Sequence, residues 1–269
     1  MSKIGIFTGI FDPISEQELK EALVWQRKEH LSYVIFEVEG EATLSKDERI
    51  KLVKQAISPY RKLKLDYHKN VDDVILYKNA SNMHEDEIRH GSYYLCDKRT
   101  RRELLLNGYY FESAVEFHCN KHRYEHSLAV RDVCVDLAKT HGLDIYIAST
   151  MGMLHDITKN KSDEWGKTLL DIYESTITSM SPKVWHSETA IFFLKKEMGL
   201  HNQKVLNAIW HHTLGTGKSD YAKILYIADK CEPTRGYDSS KEINLSKKNL
   251  KEGFDLCIKE SEEYRKNER

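Results

Sequence analysis

The chain carries no excess charge of either sign, with 41 basic against 42 acidic residues in a length of 269. That balance removes any general electrostatic argument for nucleic acid or an anionic membrane as partner, so an anionic ligand must be met by local groups. Long apolar runs are missing as well. No segment approaches the length of a membrane span, and the first residues, MSKIGIF, contain no apolar stretch followed by a small-residue cleavage site. The expectation is a cytoplasmic protein with no membrane and no nucleic acid partner. Cysteine is scarce: Cys96, Cys119, Cys134, Cys231 and Cys257 are odd in number, widely spaced and without a Cys-x-x-Cys pair. Neither a disulfide framework nor a thiolate zinc site is indicated. Internal repeats and low-complexity linkers are absent too.

What is present points to two parts. The length is enough for two modest domains, each able to bury a core. From Lys3 to about Tyr67, short apolar runs (residues 4–7, 33–36 and 63–65) alternate with helix-like stretches (16–28 and 46–57), the pattern of a parallel α/β unit. A polar stretch follows over 79–92, then a helix ending near Gly108 and a junction over 110–118. Beyond it the chain reads as helix throughout. Residues 125–141 place Val130, Val133, Cys134, Leu137 and Ala138 at helical spacing before Gly142, and a second helix covers 144–155. Ser181-Pro182 opens a helix that Gly199 ends, Asn202 and Ser219 are further N-caps, and a charged tail frays after about Ser261. Of 13 histidines, nine fall between 118 and 212, which suggests a change of chemistry near residue 112.

The helical half puts polar side chains where a core should be. His126 shares a stripe with Val130, Val133 and Leu137; His155 continues Ala148, Met151 and Leu154 and is followed by Asp156. His186 lies with Ala190, Phe193 and Leu194, His212 extends Val205, Ala208 and Ile209, and Asp229 is four residues after Leu225. Taken singly, each reads more readily as a hydrogen-bonded core residue than as a ligand. Together, four imidazoles and two carboxylates buried without a shared partner would cost several kcal/mol, and bound cations are the simplest common partner. Imidazole and carboxylate donors suit iron, manganese or cobalt.

The segments RYEHSLAV (123–130), LHDITK (154–159), WHSETA (185–190), AIWHHT (208–213) and YIADKCEPTR (226–235) resemble, in order and spacing, the YqeK-like branch of the HD-domain phosphohydrolases. The resemblance spans about 115–262. It implies an all-helical HD domain with His126, His155, Asp156, His186, His212 and Asp229 as ligands of a binuclear divalent metal centre, typically iron, and symmetrical hydrolysis of diadenosine tetraphosphate to two ADP by a metal-activated water. Asp156 and Lys159 are the catalytic candidates. Arg123, Lys159, His211, Thr213 and Arg235 are candidates for holding the nucleotide; Lys159 and Arg235 read equally as solvated surface charges, and His211 as a helix-end histidine.

The first 111 residues are similar to the NadD-like nicotinate mononucleotide adenylyltransferases, which implies a small, truncated Rossmann-like nucleotidyltransferase fold. KIGIFTGIFDP supplies the likeness of a phosphate loop, with Thr8, Gly9, Phe11 and Asp12 in place. Where that family has two histidines for the triphosphate, this chain has Ser15 and Glu18, and an anionic Glu18 would repel the phosphates. HEDEIR (84–89) stands in place of the family's Ser-Ser-Thr-x-Ile-Arg motif, and the interval from Arg49 to Glu85 is too short for the nicotinate-binding part. The expected fold class is therefore α/β plus all-α: a degenerate nucleotidyltransferase-like domain over 1–111 followed by a helical hydrolase domain over 115–262. A stabilising platform, a homodimer surface or a weak nucleotide-binding module are all uses open to the first. Deamido-NAD synthesis and non-catalytic nucleotide binding are the alternative functions.

Overall fold

A computed structural model describes residues 3–65 and 74–267, so the end of the first alternating stretch, residues 66–67, lies outside the described residues. The chain divides into two compact units. The first runs to Tyr110 and includes residues 197–199; the second starts at Phe111 and takes the remainder. α/β followed by all-α is the observed order.

In the first unit, β1 (Lys3–Gly9), α1 (Glu16–Lys28), β2 (Tyr33–Val38), α2 (Lys46–Ile57), β3 (Leu63–Leu65) and β4 (Val74–Asn79) build a four-stranded parallel sheet in the order β3-β2-β1-β4. Ser15 and Ser45 start the two helices through reciprocal capping boxes with Glu18 and Glu48. Phe7, Val34 and Phe36 from one face of the sheet pack with Leu19 and Ala22 of α1 and Val53 and Ala56 of α2. Two successive crossovers thus lay both helices on one face, as right-handed connections made in the same direction require. β4 escapes the sequence reading because its residues are only partly buried, which leaves a weak alternation. The polar stretch after it contains a short helix, α3 (Glu85–Arg89), and α4 (Lys98–Asn107) ends at Gly108, whose φ of 67° suits the left-handed cap.

The second unit is helical: α5 (Phe111–His118), α6 (Lys121–Thr140), α7 (Ile145–Leu154), α8 (Asp163–Ile172), α9 (His186–Phe193), α10 (Gln203–His211), α11 (Asp220–Cys231), α12 (Ser240–Lys248) and α13 (Leu250–Asn267). The expected N-caps Asn202 and Ser219 are in place, and Asn120, Asp144 and Ser162 cap three more helices. The boundary between the units falls inside the expected junction over 110–118, but Phe111–His118 form a helix, α5, with Ala114 and Val115 buried, rather than a linker. The charged tail does not fray at Ser261 either; α13 continues to Asn267. The helix expected from Ser181 is divided into a 3-10 turn (Pro182–Val184), α9 and a π-helical turn (Leu194–Met198) that Gly199 closes. All five cysteines are buried and free. Among the described residues no helix is long and apolar enough to cross a membrane.

The contact between α6 and α7 fixes where the polar core residues stand. Gly152 makes it possible: a Cβ there would lie 2.6 Å from Arg131 Cα and 3.0 Å from Arg131 N, so the two backbones touch. Gly152 O also accepts a hydrogen bond from His155 Nδ1 at 2.8 Å. Gly152→Ala must push two helices apart and shift both His126 and His155. Urea denaturation should show a loss of about 1–3 kcal/mol, the usual cost of overpacking; an unchanged midpoint would mean that the helices separate freely.

Candidate metal centre

The six predicted side chains meet in the interior of the second unit, brought there mostly by helix ends. His126 comes from α6 and Asp229 from the last turn of α11. His155 and Asp156 sit in the turn after α7, His186 is the first residue of α9, and His212 caps α10. All six are buried. Nε2 of His126 and His155 are 3.3 Å apart, and Nε2 of His186 and His212 3.2 Å. Asp156 stands between the two pairs. Its Oδ1 is 3.1 Å from His186 Nε2 and 3.5 Å from His212 Nε2, while Oδ2 is 3.5 Å from His155 Nε2 and 3.8 Å from His126 Nε2. Asp229 Oδ1 joins the first pair, 3.2 Å from His126 Nε2 and 3.8 Å from His155 Nε2.

Hydrogen bonds at the far side of each ring determine what faces inward. A backbone carbonyl can only accept, so His155 Nδ1 donates to Gly152 O and His212 Nδ1 donates to Ile209 O, at 2.8 and 2.6 Å. His126 Nδ1 faces Glu232 Oε1 at 2.9 Å. With Nδ1 protonated, Nε2 is turned into the site, and His155, held neutral by burial that pushes its pKa down to about 3, presents a bare lone pair there. Burial alone would raise Asp156 and Asp229. For Asp156 the surrounding imidazoles outweigh it; for Asp229 Lys230, His126 and Arg235 do, and both carboxyls lie well below the usual range. Asp156 Oδ1 is buried and makes no hydrogen bond.

Between His126 and His155 the lone pairs face one another at 3.3 Å, and Asp156 Oδ1 is an unbonded anionic oxygen beside the cluster, an arrangement that a cation relieves. At His186 the ammonium of Lys159 donates to Nδ1, which leaves that ring's proton on Nε2 toward His212. The donor set fits metal. His126, His155 and Asp229 form one group able to hold an ion, and His155, Asp156 and His212 form a second. Hard carboxylates with imidazoles suit first-row divalent ions.

The predicted nucleotide-holding residues fall into three groups. Arg123 Nη1 is 2.8 Å from Asp156 Oδ2 and Arg235 Nη2 is 2.7 Å from Asp229 Oδ1, so both guanidiniums lie against the cluster. Lys159 Nζ donates to Lys183 O and lies 2.9 Å from His186 Nδ1. His211 and Thr213 are set apart: His211 Nδ1 pairs with Thr216 Oγ1 at 2.7 Å, and Thr213 Oγ1 is buried without a hydrogen bond. Two residues escaped the sequence reading. Lys230 Nζ is 2.8 Å from Asp229 Oδ2, and Glu232 holds the back of His126. Position beside a motif residue was the only signal either one gave.

In the first unit the residues of the expected phosphate loop already have partners within the unit. Thr8 Oγ1 donates to Asn79 Oδ1, and Gly9 leaves no room for a Cβ, which would stand 2.7 Å from the ring of Phe11. Asp12 is buried and accepts from Thr43 N, Leu44 N, Tyr110 Oη and Arg89 Nη1. Arg89 is shared between Asp12 and Asp86. Ser15 and Glu18 are closed on each other by the capping box, with Glu18 Oε1 buried and unbonded. Burial pushes Glu18 up to about 8, despite the bonds from Ser15 that favour its charge. In the folded state it keeps a proton that the unfolded chain releases near pH 4.5, so the unit loses stability as pH rises from about 5 to about 8. Hydrogen exchange at the β1 and α1 amides should quicken over that interval beyond its intrinsic pH dependence. Glu18→Gln should flatten the excess, and a persisting slope would place the titrating group elsewhere.

Residues 123–234 match the family described as HD domain, a span that contains all six clustered residues. A protein of Bacillus subtilis named symmetrical bis(5'-nucleosyl)-tetraphosphatase is 26% identical over 151 residues, 55% of this chain and 81% of that relative. A protein of Mycoplasma pneumoniae named probable nicotinate-nucleotide adenylyltransferase/Ap4A hydrolase is 31% identical over 59% of this chain, but only 48% of its own length is matched. Among solved structures, an HD superfamily hydrolase of Clostridium acetobutylicum, described as involved in NAD metabolism, superimposes with a TM-score of 0.55 at 24% identity, covering 59% of this chain and 86% of that one. That likeness speaks for the fold. The helical second unit of this chain accordingly contains the stretch, residues 123–234, that matches the HD domain model, and it shares the fold of that hydrolase.

Proposed function

We propose that the chain is a metal-dependent hydrolase of dinucleoside polyphosphates, cutting diadenosine tetraphosphate into two ADP in its helical unit. The observation that carries this reading is the pair of facing imidazole couples with Asp156 between them. It supports two cation positions: His126, His155 and Asp229 would hold one ion, and His155, Asp156 and His212 a second, with His186 beside Asp156. Iron, manganese and cobalt all suit such donors, and the resemblance to the HD-domain phosphohydrolases favours iron among them. Two such ions lower the pKa of a water and stabilise charge on phosphoryl oxygens.

The chain's own residues supply the rest. Asp156 holds the two halves of the site at a fixed separation, and the carbonyls behind His155 and His212 lock their rings. Arg123, Lys230 and Arg235 neutralise the site's carboxylates and stand where incoming phosphates would compete for them. Lys159, at the His186 side, is the remaining cation for the polyphosphate. No protein nucleophile is needed. In the first unit, Arg89 is already held by Asp12 and Asp86, and Glu18, which burial keeps protonated rather than anionic as the sequence suggested, is closed on Ser15 where the adenylyltransferases have a histidine, which argues against adenylyl transfer. That unit serves as a platform or a dimerisation surface, in a cytoplasmic enzyme.

The test is release of ADP from diadenosine tetraphosphate by protein purified anaerobically and assayed for metal. Wild type should form two ADP for each substrate consumed, and equal activity in His155→Ala would refute the assignment. Release of pyrophosphate from ATP with nicotinate mononucleotide would restore the nucleotidyltransferase reading.

A further inference from the structure

The imidazole cluster accounts for the phosphates and leaves the nucleosides without a place. A symmetrical cut at the centre of a dinucleotide puts a nucleoside arm on each side of the reacting phosphorus, and each base stays in water, contributing nothing to binding, unless a wall receives it. One cavity in the second unit adjoins the cluster. It has a volume of about 190 Å³, and His186 and Lys159 form its inner end. From there it runs past Lys161 and Lys183 to Trp165, at the start of α8, with Asp163 as the acid in its lining.

We propose that this cavity is the subsite for one nucleoside of the substrate, with the indole of Trp165 as the surface on which the base rests. The inference depends on the hydrolase reading given above, because it takes its phosphates from the neighbouring cluster. The size is that of a purine rather than of a second dinucleotide. Trp165 is half-buried, and its backbone N–H donates to Ser162 Oγ at 3.2 Å, which fixes the start of the helix that carries the ring. Lys161 Nζ lies over the indole, 6.0 Å from its centroid, and 3.1 Å from His118 Nδ1, a cation on the ring face that a base stacking on that face would displace toward its own phosphates. Lys159 ties Lys183 O to the same rim. Three lysines against one acid give this cavity a positive lining in a chain that is otherwise balanced, as a phosphate chain leading to a base requires. Trp185 closes one wall and is buried, with its Nε1 donating to Ile177 O and Met180 O, both at 3.1 Å, so Trp165 is the more accessible of the two indoles.

Stacking on an aromatic face is tolerant of base identity because every base offers a π-surface. The subsite therefore accepts ADP and GDP alike, and selects for a nucleoside over a bare polyphosphate.

Calorimetric titration of the metal-loaded full chain with ADP and, separately, with inorganic pyrophosphate tests this. Trp165→Ala should weaken ADP binding by about ten-fold or more, within the range that one stacked base contributes. Trp165→Phe should restore most of the affinity, and pyrophosphate binding should stay within about two-fold of wild type in both variants. The subsite is overturned if wild type does not bind ADP, if Trp165→Ala binds it unchanged, or if ADP and pyrophosphate weaken together, which would give Trp165 a role in the fold alone. Failure of the hydrolase reading looks different: ADP binds and responds to Trp165, yet no ADP is released from the dinucleotide.

Discussion

Asp156→Asn is expected to lower ADP release from diadenosine tetraphosphate by on the order of 10³-fold or more and to leave the protein with less than its full complement of metal. The reason lies in its position. Asp156 alone faces both imidazole couples, Oδ1 toward His186 and His212 and Oδ2 toward His155 and His126. Asparagine keeps the shape and removes the charge. Its amide hydrogens would also point at imidazole lone pairs where the carboxylate offers anionic oxygen. Arg123, which is 2.8 Å from Oδ2, would lose its ionic partner in a part-buried setting, so some destabilisation should accompany the loss. Metal content by mass spectrometry, ADP release, and helix content by circular dichroism separate these effects. A folded Asp156→Asn protein with full metal and full activity would mean that the cluster is structural.

The helical half was legible because its metal-capable side chains interrupt apolar stripes. His126 beside Val130 and Leu137, or His186 beside Ala190, is a polar group at a spacing that only a core occupies, and burial of all six bears that out. What spacing could not convey was that His155, Asp156, His186 and His212 sit at helix ends. Those positions leave backbone carbonyls available, as Gly152 O and Ile209 O are to His155 and His212, and helix interiors would not. β4 and α5 were illegible for the opposite reason: the strand is half-exposed and the helix short, so neither builds a periodicity that stands out. In the first unit the substitutions at Ser15 and Glu18 were plain, but their consequence was not. The structure shows a closed network, with Arg89 held by two carboxylates and Asp12 accepting four hydrogen bonds. A phosphate could enter only by breaking it.

Glu232 is the residue on which sequence reasoning was silent, and it carries the second large expected effect. Within Glu-Pro-Thr-Arg it reads as a turn residue, yet it is 1% exposed and its Oε1 lies 2.9 Å from His126 Nδ1. Thr234 bonds to the same carboxylate through both its N–H and its hydroxyl, and Arg235 Nε stands 3.6 Å away, so the group that orients the imidazole is itself oriented. A carboxylate behind a metal-binding histidine fixes ring orientation and raises ligand basicity, and losing such a partner costs about 10–100-fold in metal affinity or activity. Glu232→Ala should fall in that range, because His126 would be free to turn its Nε2 away from His155 and Asp229. Glu232→Gln should lie between: its amide oxygen can still accept from Nδ1, but its amide nitrogen cannot accept from Thr234. Competition with a chelator gives the metal affinity, and turnover at saturating metal shows whether a correctly loaded site remains. If Glu232→Ala holds metal as tightly as wild type, the carboxylate belongs to the turn, and His126 is positioned by packing within α6 alone.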